Sequence, residues 1–249
     1  MLEVKNLRKD FDGLRAIDGV SLVVPAEKII GLIGPNGSGK STLLNLIDGS
    51  IQPSSGQIIF DGRDITHLPA ERIYELGLGR GFQNPALFFQ MTALDNALLP
   101  VKHQRGESPW YAPWKRTWQQ QENENTSQAA AVLKRVNLQT HALNLASDLS
   151  GGQMKLLEIA RSLMGNPKLL LLDEPTAGVA PKLAYDIFEQ IADMRTTLGK
   201  TFLVVEHRLE ILFDFVDSVY VMHMGKILAH GTPKEIAAND QVREVYFGE

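Results

Sequence analysis

The chain has 249 residues, with 25 lysines and arginines against 29 aspartates and glutamates, a net charge of −4. An apolar fraction of 44% and a charged fraction of 22% fit a folded globular chain and exclude a disordered or fibrous one. There is no cysteine, which excludes disulfides, cysteine–zinc sites and thiol catalysis, and no basic excess points to nucleic acid.

The N-terminal segment Met1-Leu2-Glu3-Val4-Lys5-Asn6-Leu7-Arg8 lacks the apolar stretch of a signal peptide. No run of about 18 apolar residues occurs, so any membrane association is expected to run through a partner or the surface. Leu2, Val4 and Leu7 lead a first predicted strand, and Val20 to Val24 lead a second, stopped by Pro25. Lys28 to Ile33 is an apolar run ending in Gly34, the pattern of a buried strand feeding a loop. A helix is expected over Ser41 to Asp48, and a strand and turn over Gln57 to Phe60 and Asp61-Gly62. From Met91 to about Asn144 the pattern is helical and polar, interrupted by an irregular insert, His103 to Trp118, with Pro109 and Pro113. Helix Gln153–Gly165, strand Lys168–Leu172, helix Lys182–Leu198 and strand Thr201–Val205 then alternate, which implies a mostly parallel sheet covered by helices.

Gly34-Pro35-Asn36-Gly37-Ser38-Gly39-Lys40-Ser41 fits G-x-x-x-x-G-K-[ST], set between a buried strand and a helix. The glycines let backbone N–H groups cradle phosphates, Lys40 can reach the β- and γ-phosphates, and Ser41 can ligate Mg²⁺. The helix that follows, with Thr42 in its first turn, aims its positive end at the anion. Further on, Leu169-Leu170-Leu171-Leu172-Asp173-Glu174 is a buried-type strand ending in two acids. Such a strand delivers Asp173 to the carboxyl edge of the sheet, where it can hold Mg²⁺, and Glu174 can polarise the attacking water.

Leu149-Ser150-Gly151-Gly152-Gln153 lies shortly before this strand. Together with the loop, it makes essentially the whole chain resemble the ATP-binding cassette ATPases of membrane transporters. Ser150 and the two glycine amides crown a helix N-terminus, a second anion site. The resemblance implies further roles. Phe11 falls where an aromatic stacks on adenine, Gln83 where a glutamine contacts Mg²⁺ and water, and His207 where a histidine contacts the γ-phosphate. Where the family usually carries Asp or Asn after the acid pair, Ala180 has no side-chain acceptor, and Arg208 replaces a more usual acid. Arg80-Gly81-Phe82-Gln83-Asn84, Leu87-Phe88, Met91-Thr92 and the ending Val245-Tyr246-Phe247-Gly248 resemble the ATPase of branched-chain amino-acid importers. Urea importers share these features, the lipopolysaccharide-export ATPase resembles the ends, and non-transport regulatory cassettes are a more distant alternative.

The resemblance implies an α/β fold: a phosphate-loop ATPase core with a mostly parallel sheet, an antiparallel β subdomain and a helical subdomain. The core is expected over 1–91 and 164–249 and the helical lobe over 92–163, with insert 103–118. It also implies ATP and Mg²⁺, transmembrane permease subunits and a second cassette subunit, identical or not, facing head to tail. A periplasmic or extracellular solute-binding protein would act indirectly. The expected location is the cytoplasmic face of the inner membrane, held peripherally, with no nucleic acid involved. ATP would lie between Lys40's loop and Ser150 of the partner. Phe82, Leu87, Phe88 and Phe89 supply apolar surface for a permease helix. Trp110, Trp114 and Trp118 either close a small core or face a membrane subunit or lipid headgroups, with Trp114 and Trp118 able to share one helix.

Overall fold

The computed structural model describes residues 1–81 and 87–247. Strands β1 (Leu2–Phe11), β2 (Leu14–Val24) and β3 (Ile29–Ile33) open the chain and lead into α1 (Lys40–Ile47). Next come β4 (Ser55–Phe60), β5 (Arg63–Asp64), α2 (Ala70–Leu76) and β6 (Leu78–Gly81). Helices α3 (Ala93–Leu98), α4 (Gln119–Arg135) and α5 (Gly151–Met164) precede β7 (Leu169–Asp173), α6 (Pro181–Leu198) and β8 (Thr201–Val205). The chain closes with α7 (Leu209–Phe215), β9 (Ser218–His223), β10 (Lys226–Gly231), α8 (Pro233–Ala237) and α9 (Asp240–Phe247). Among the described residues no helix is long and apolar enough to cross a membrane.

Two compact units result. The first comprises 1–83, 168–177 and 184–249, the second 84–167 and 178–183. The first unit holds two sheets. One is antiparallel, in the order β2-β1-β4-β5; the other runs β10-β9-β3-β8-β7-β6 and is parallel except for its β10–β9 edge. Strands β3, β7 and β8 are buried along their whole length, which is why they read as unbroken apolar runs instead of alternating ones. Leu43, Leu44, Leu46 and Ile47 of α1 join one core cluster with residues of both sheets, such as Leu2, Phe60, Leu171 and Leu203. That cluster fixes the start of α1, and hence the phosphate loop, against the sheet ends.

The second unit packs α3, α4 and α5 on one another. Both α3 and α5 start with a side chain that caps the helix and an N3 residue that reaches back, Thr92 with Asp95 and Ser150 with Gln153. Trp114 and Trp118 do not share a helix. A 3₁₀ turn spans Lys115–Thr117, and α4 begins only at Gln119, with Trp118 at its N-cap. Local bonds win over helix here: Thr117 Oγ1 donates to Trp114 O at 2.7 Å, and Trp118 Nε1 donates to Ala112 O at 3.1 Å.

Candidate active site

Strand β3 ends at Ile33, and the chain turns at once through Gly34 with φ of +155°. A Cβ on Gly34 would lie 2.2 Å from Met222 O, so only glycine lets the loop pass β9. Gly39, at φ +103°, sits just before α1, and a Cβ there would meet Ala16 O at 2.8 Å. The turn between β9 and β10 props the loop from behind, with Gly225 N donating to Ser38 O at 3.0 Å. The loop is therefore wedged between β2 and β9 by main-chain contacts. Ser38 Oγ is buried and has no hydrogen-bond partner among the described residues. A buried hydroxyl with unused capacity suits a phosphate oxygen. Lys40 is 6% exposed, and its Nζ donates to Gly34 O at 2.8 Å and Pro35 O at 3.0 Å. Burial pushes its ammonium pKa down, while the charges of Glu174 and Asp173 oppose that shift.

Asp173 closes β7 and is buried. Burial raises its pKa, and the Arg80 guanidinium, 3.3 Å away, pulls it back. Arg80, on β6, also donates to Asp48 at 2.6 Å and to Asn45, tying α1 to the end of β7. The Ser41 hydroxyl lies near enough to the Asp173 carboxylate to help hold its pKa down, so two oxygen donors stand side by side. Glu174 turns the chain at φ +50°, a left-handed conformation that costs a residue with a Cβ about 1–3 kcal/mol. Its main-chain N–H donates to Val205 O at 2.9 Å, and its carboxylate lies 2.9 Å from His207 Nε2. Buried Glu206 holds this turn from the next strand. Its Oε1 accepts from Thr176 N at 2.9 Å and Thr176 Oγ1 at 2.6 Å, and its Oε2 accepts from His207 N at 3.0 Å.

A cavity of about 550 Å³ joins these parts, lined by Phe11, Asn36, Gly37, Gly39, Lys40, Ser41, Thr42, Glu174 and His207 among others. Every lining residue belongs to the first unit. Phe11 is 41% exposed at the end of β1, so it is no core residue, and Lys9 Nζ stands 4.9 Å from its ring centroid. Ser150, Gly151, Gly152 and Gln153 form the N-terminus of α5 in the second unit and line none of this cavity. Ser150 and Gly151 are exposed. A Cβ on Gly152 would fall 1.9 Å from Leu183 Cδ2, so a larger residue there would have to displace the Leu183 side chain. Gln83 and Phe82 lie outside the described residues.

Sequence reasoning passed over Arg80 and Glu206. For Glu206 a signal existed: Val204-Val205-Glu206 repeats the pattern of Leu171-Leu172-Asp173, an acid at the end of a buried parallel strand. Arg80 gave none, because its partners are 32 or more residues away in sequence.

A phosphate-type loop on a buried strand, with an acid delivered by a parallel strand of the same sheet, defines a phosphate-loop nucleoside triphosphatase. The sequence model described as ABC transporter matches residues 17–177, and the chain belongs to that family. A second model, described as branched-chain amino acid ATP-binding cassette transporter, matches residues 226–249. A probable branched-chain amino acid transport ATP-binding protein of Methanocaldococcus jannaschii is 41% identical over 253 residues, spanning 100% of this chain and 98% of the relative. The high-affinity branched-chain amino acid transport ATP-binding proteins of Pseudomonas aeruginosa and Escherichia coli K12 are 39% and 36% identical over 251 residues. Each alignment covers 100% of this chain and 98% of the relative. Among solved structures, the ADP conformation of an ATP-binding cassette of an ABC transporter is 41% identical. It has a TM-score of 0.87, with 100% of this chain and 99% of that one covered. A dimeric cassette in a post-hydrolysis state bound to ADP and Pi is 27% identical with a TM-score of 0.79, covering 94% and 99%. As a member of the family, the chain binds nucleotide and hydrolyses ATP in a transporter.

Proposed function

We propose that the chain is the ATP-hydrolysing subunit of an importer of branched-chain amino acids. The observation that carries the reading is the match of residues 226–249 to the branched-chain cassette model. Full-length likeness to relatives named for that transport supports it. In this reading the subunit sits peripherally on the cytoplasmic face of the inner membrane, bound to transmembrane permease subunits. A solute-binding protein delivers cargo on the other side.

The residues divide the work as follows. Phe11 offers its exposed ring to adenine. The N–H groups of 36–42, Ser38 Oγ and Lys40 Nζ bind phosphate oxygens. Ser41 and Asp173 are hard oxygen donors already side by side, the chemistry that suits Mg²⁺. The ion, when bound, would neutralise charge on the phosphates. Glu174 orients and accepts a proton from water, and His207, 2.9 Å away, holds the Glu174 carboxylate in position and faces the γ-phosphate. Gln83 is assigned a contact to metal and water on resemblance alone. Ser150, Gly151, Gly152 and Gln153 complete the site of a second subunit, facing head to tail. Ala180, which is exposed, brings no acceptor to that interface. Reconstitution with the permease subunits and the solute-binding protein tests the cargo. Leucine, isoleucine or valine should stimulate ATP turnover and be taken up; stimulation by urea instead would overturn the cargo assignment.

A further inference from the structure

The insert after α3 is not absorbed by the nucleotide site. Trp110 is 83% exposed and Trp114 69%, and Tyr111 between them is half exposed. Their projection is built in, because the insert's hydrogen bonds point inward. Trp118 packs on Gly106, where a Cβ would sit 3.5 Å from the ring, and Gln121 bonds both Arg105 N and His103 O. The insert, 103–118, holds three cations, Arg105, Lys115 and Arg116, against one acid, Glu107, a local +2 in a chain of net −4. No ion pair engages Arg105, Lys115 or Arg116 among the described residues. Beside the aromatics, a polar cavity of about 700 Å³ is lined by Arg105, Arg116, Thr117, Gln120 and Glu124.

We propose that this insert is a membrane-surface contact that seats Trp110, Tyr111 and Trp114 among anionic phospholipid headgroups. Amphipathic aromatic rings with arginine and lysine beside them are the composition that favours the bilayer interface. The cationic excess complements an anionic leaflet. Arg105 and Arg116 offer the cavity to a lipid phosphate, and Glu124 faces a headgroup hydroxyl or amine. A protein partner is less well matched. The concave part is polar, and the aromatics stand on the turn between two short 3₁₀ segments, Arg105–Glu107 and Lys115–Thr117, without a continuous apolar face, whereas a stable protein interface needs about 800 Å² of complementary surface a side.

All three tryptophans lie in the insert, so intrinsic tryptophan emission of the full chain reports on this surface alone. Phosphatidylcholine vesicles containing phosphatidylglycerol should shift that emission to the blue and shield it from acrylamide, and pure phosphatidylcholine should do so far less. High salt should weaken the effect. Lys115→Glu with Arg116→Glu should weaken vesicle binding, by about fivefold or more for each charge removed. Trp110→Ser with Trp114→Ser should abolish the shift, while the emission of Trp118 still reports an intact insert. An unchanged spectrum with both vesicle types would overturn the proposal. So would a shift that appears only on adding detergent-solubilised permease subunits, which would assign the surface to protein.

Discussion

Two glycine-rich turns in this chain precede a helix, and they are built in opposite ways. The phosphate loop before α1 is propped by main-chain contacts from β2, β9 and the Gly225 turn, and it carries a lysine that is 6% exposed. The turn before α5 lies open. Ser150 and Gly151 are exposed, nothing among the described residues lies within 4 Å of a Cβ placed on Gly151, and the polar demand is met by Ser150 and Gln153 capping each other. A loop preshaped by its own unit is ready to hold an anion by itself. A satisfied, exposed helix end contributes only when another surface is brought to it. Under the proposed function, the difference means that one chain carries two halves of a site and closes only one of them.

The sharpest way to break this contrast is at the chemistry. If the closed half alone holds the reacting groups, Glu174→Gln should keep nucleotide binding and lower ATP turnover by about 10²-fold or more. Wild-type turnover in that variant, measured by phosphate release, would remove Glu174 from the chemistry.

The second unit offers a sharper version of its own openness. Phe88 is 56% exposed, yet its backbone is fixed: Asn96, fully buried, accepts from Phe88 N at 2.9 Å and donates to Phe88 O at 3.0 Å. A ring held outward on a rigid backbone suits an anchor for a permease helix, at about 2 kcal/mol once buried. Phe88→Ala should therefore weaken permease pull-down with basal ATPase intact and a melting temperature close to wild type. Loss of melting temperature with unchanged pull-down would mark Phe88 as structural. Leu87, expected beside it on that surface, is buried, so it is excluded from such an interface.

The smallest effect lies in the frame of the first unit. Burial pushes the Asp217 carboxyl up, but Lys28 at 2.9 Å, the Ile29 N–H and Arg195 outweigh it and hold the pKa below the ordinary range. A lowered native pKa means that the stabilisation is present above the unfolded value near ~4 and is lost as pH falls through the lower native one. Asp217→Asn should cost about 1 kcal/mol at neutral pH, discounted for partial exposure. In denaturant titrations that gap should close as pH drops below the carboxylate range; a gap that persists at low pH would rule the charge out as its source.

The legible parts of the molecule were those written in contiguous residues. Gly34–Ser41, the run Leu169–Glu174 and Leu149–Gln153 each carry their own geometry, because strand burial and helix capping are local. Arg80 and Glu206 were illegible or nearly so, since their work is to join elements that only the fold brings together. The Trp114–Trp118 spacing misled because a spacing of four describes a helix only when no side chain competes for the backbone. Thr117 and Trp118 both do compete.

The proposed function needs a site shared between two chains, and mixing two inactive subunits tests that directly. Ser150→Arg spoils the open half, and Lys40→Ala spoils the closed half. Each variant alone should hydrolyse ATP poorly, and an equimolar mixture with permease subunits should regain a single working site per mixed pair. A mixture that stays at the sum of its inactive components, or a Ser150→Arg subunit that works alone at the wild-type rate, would contradict the shared site.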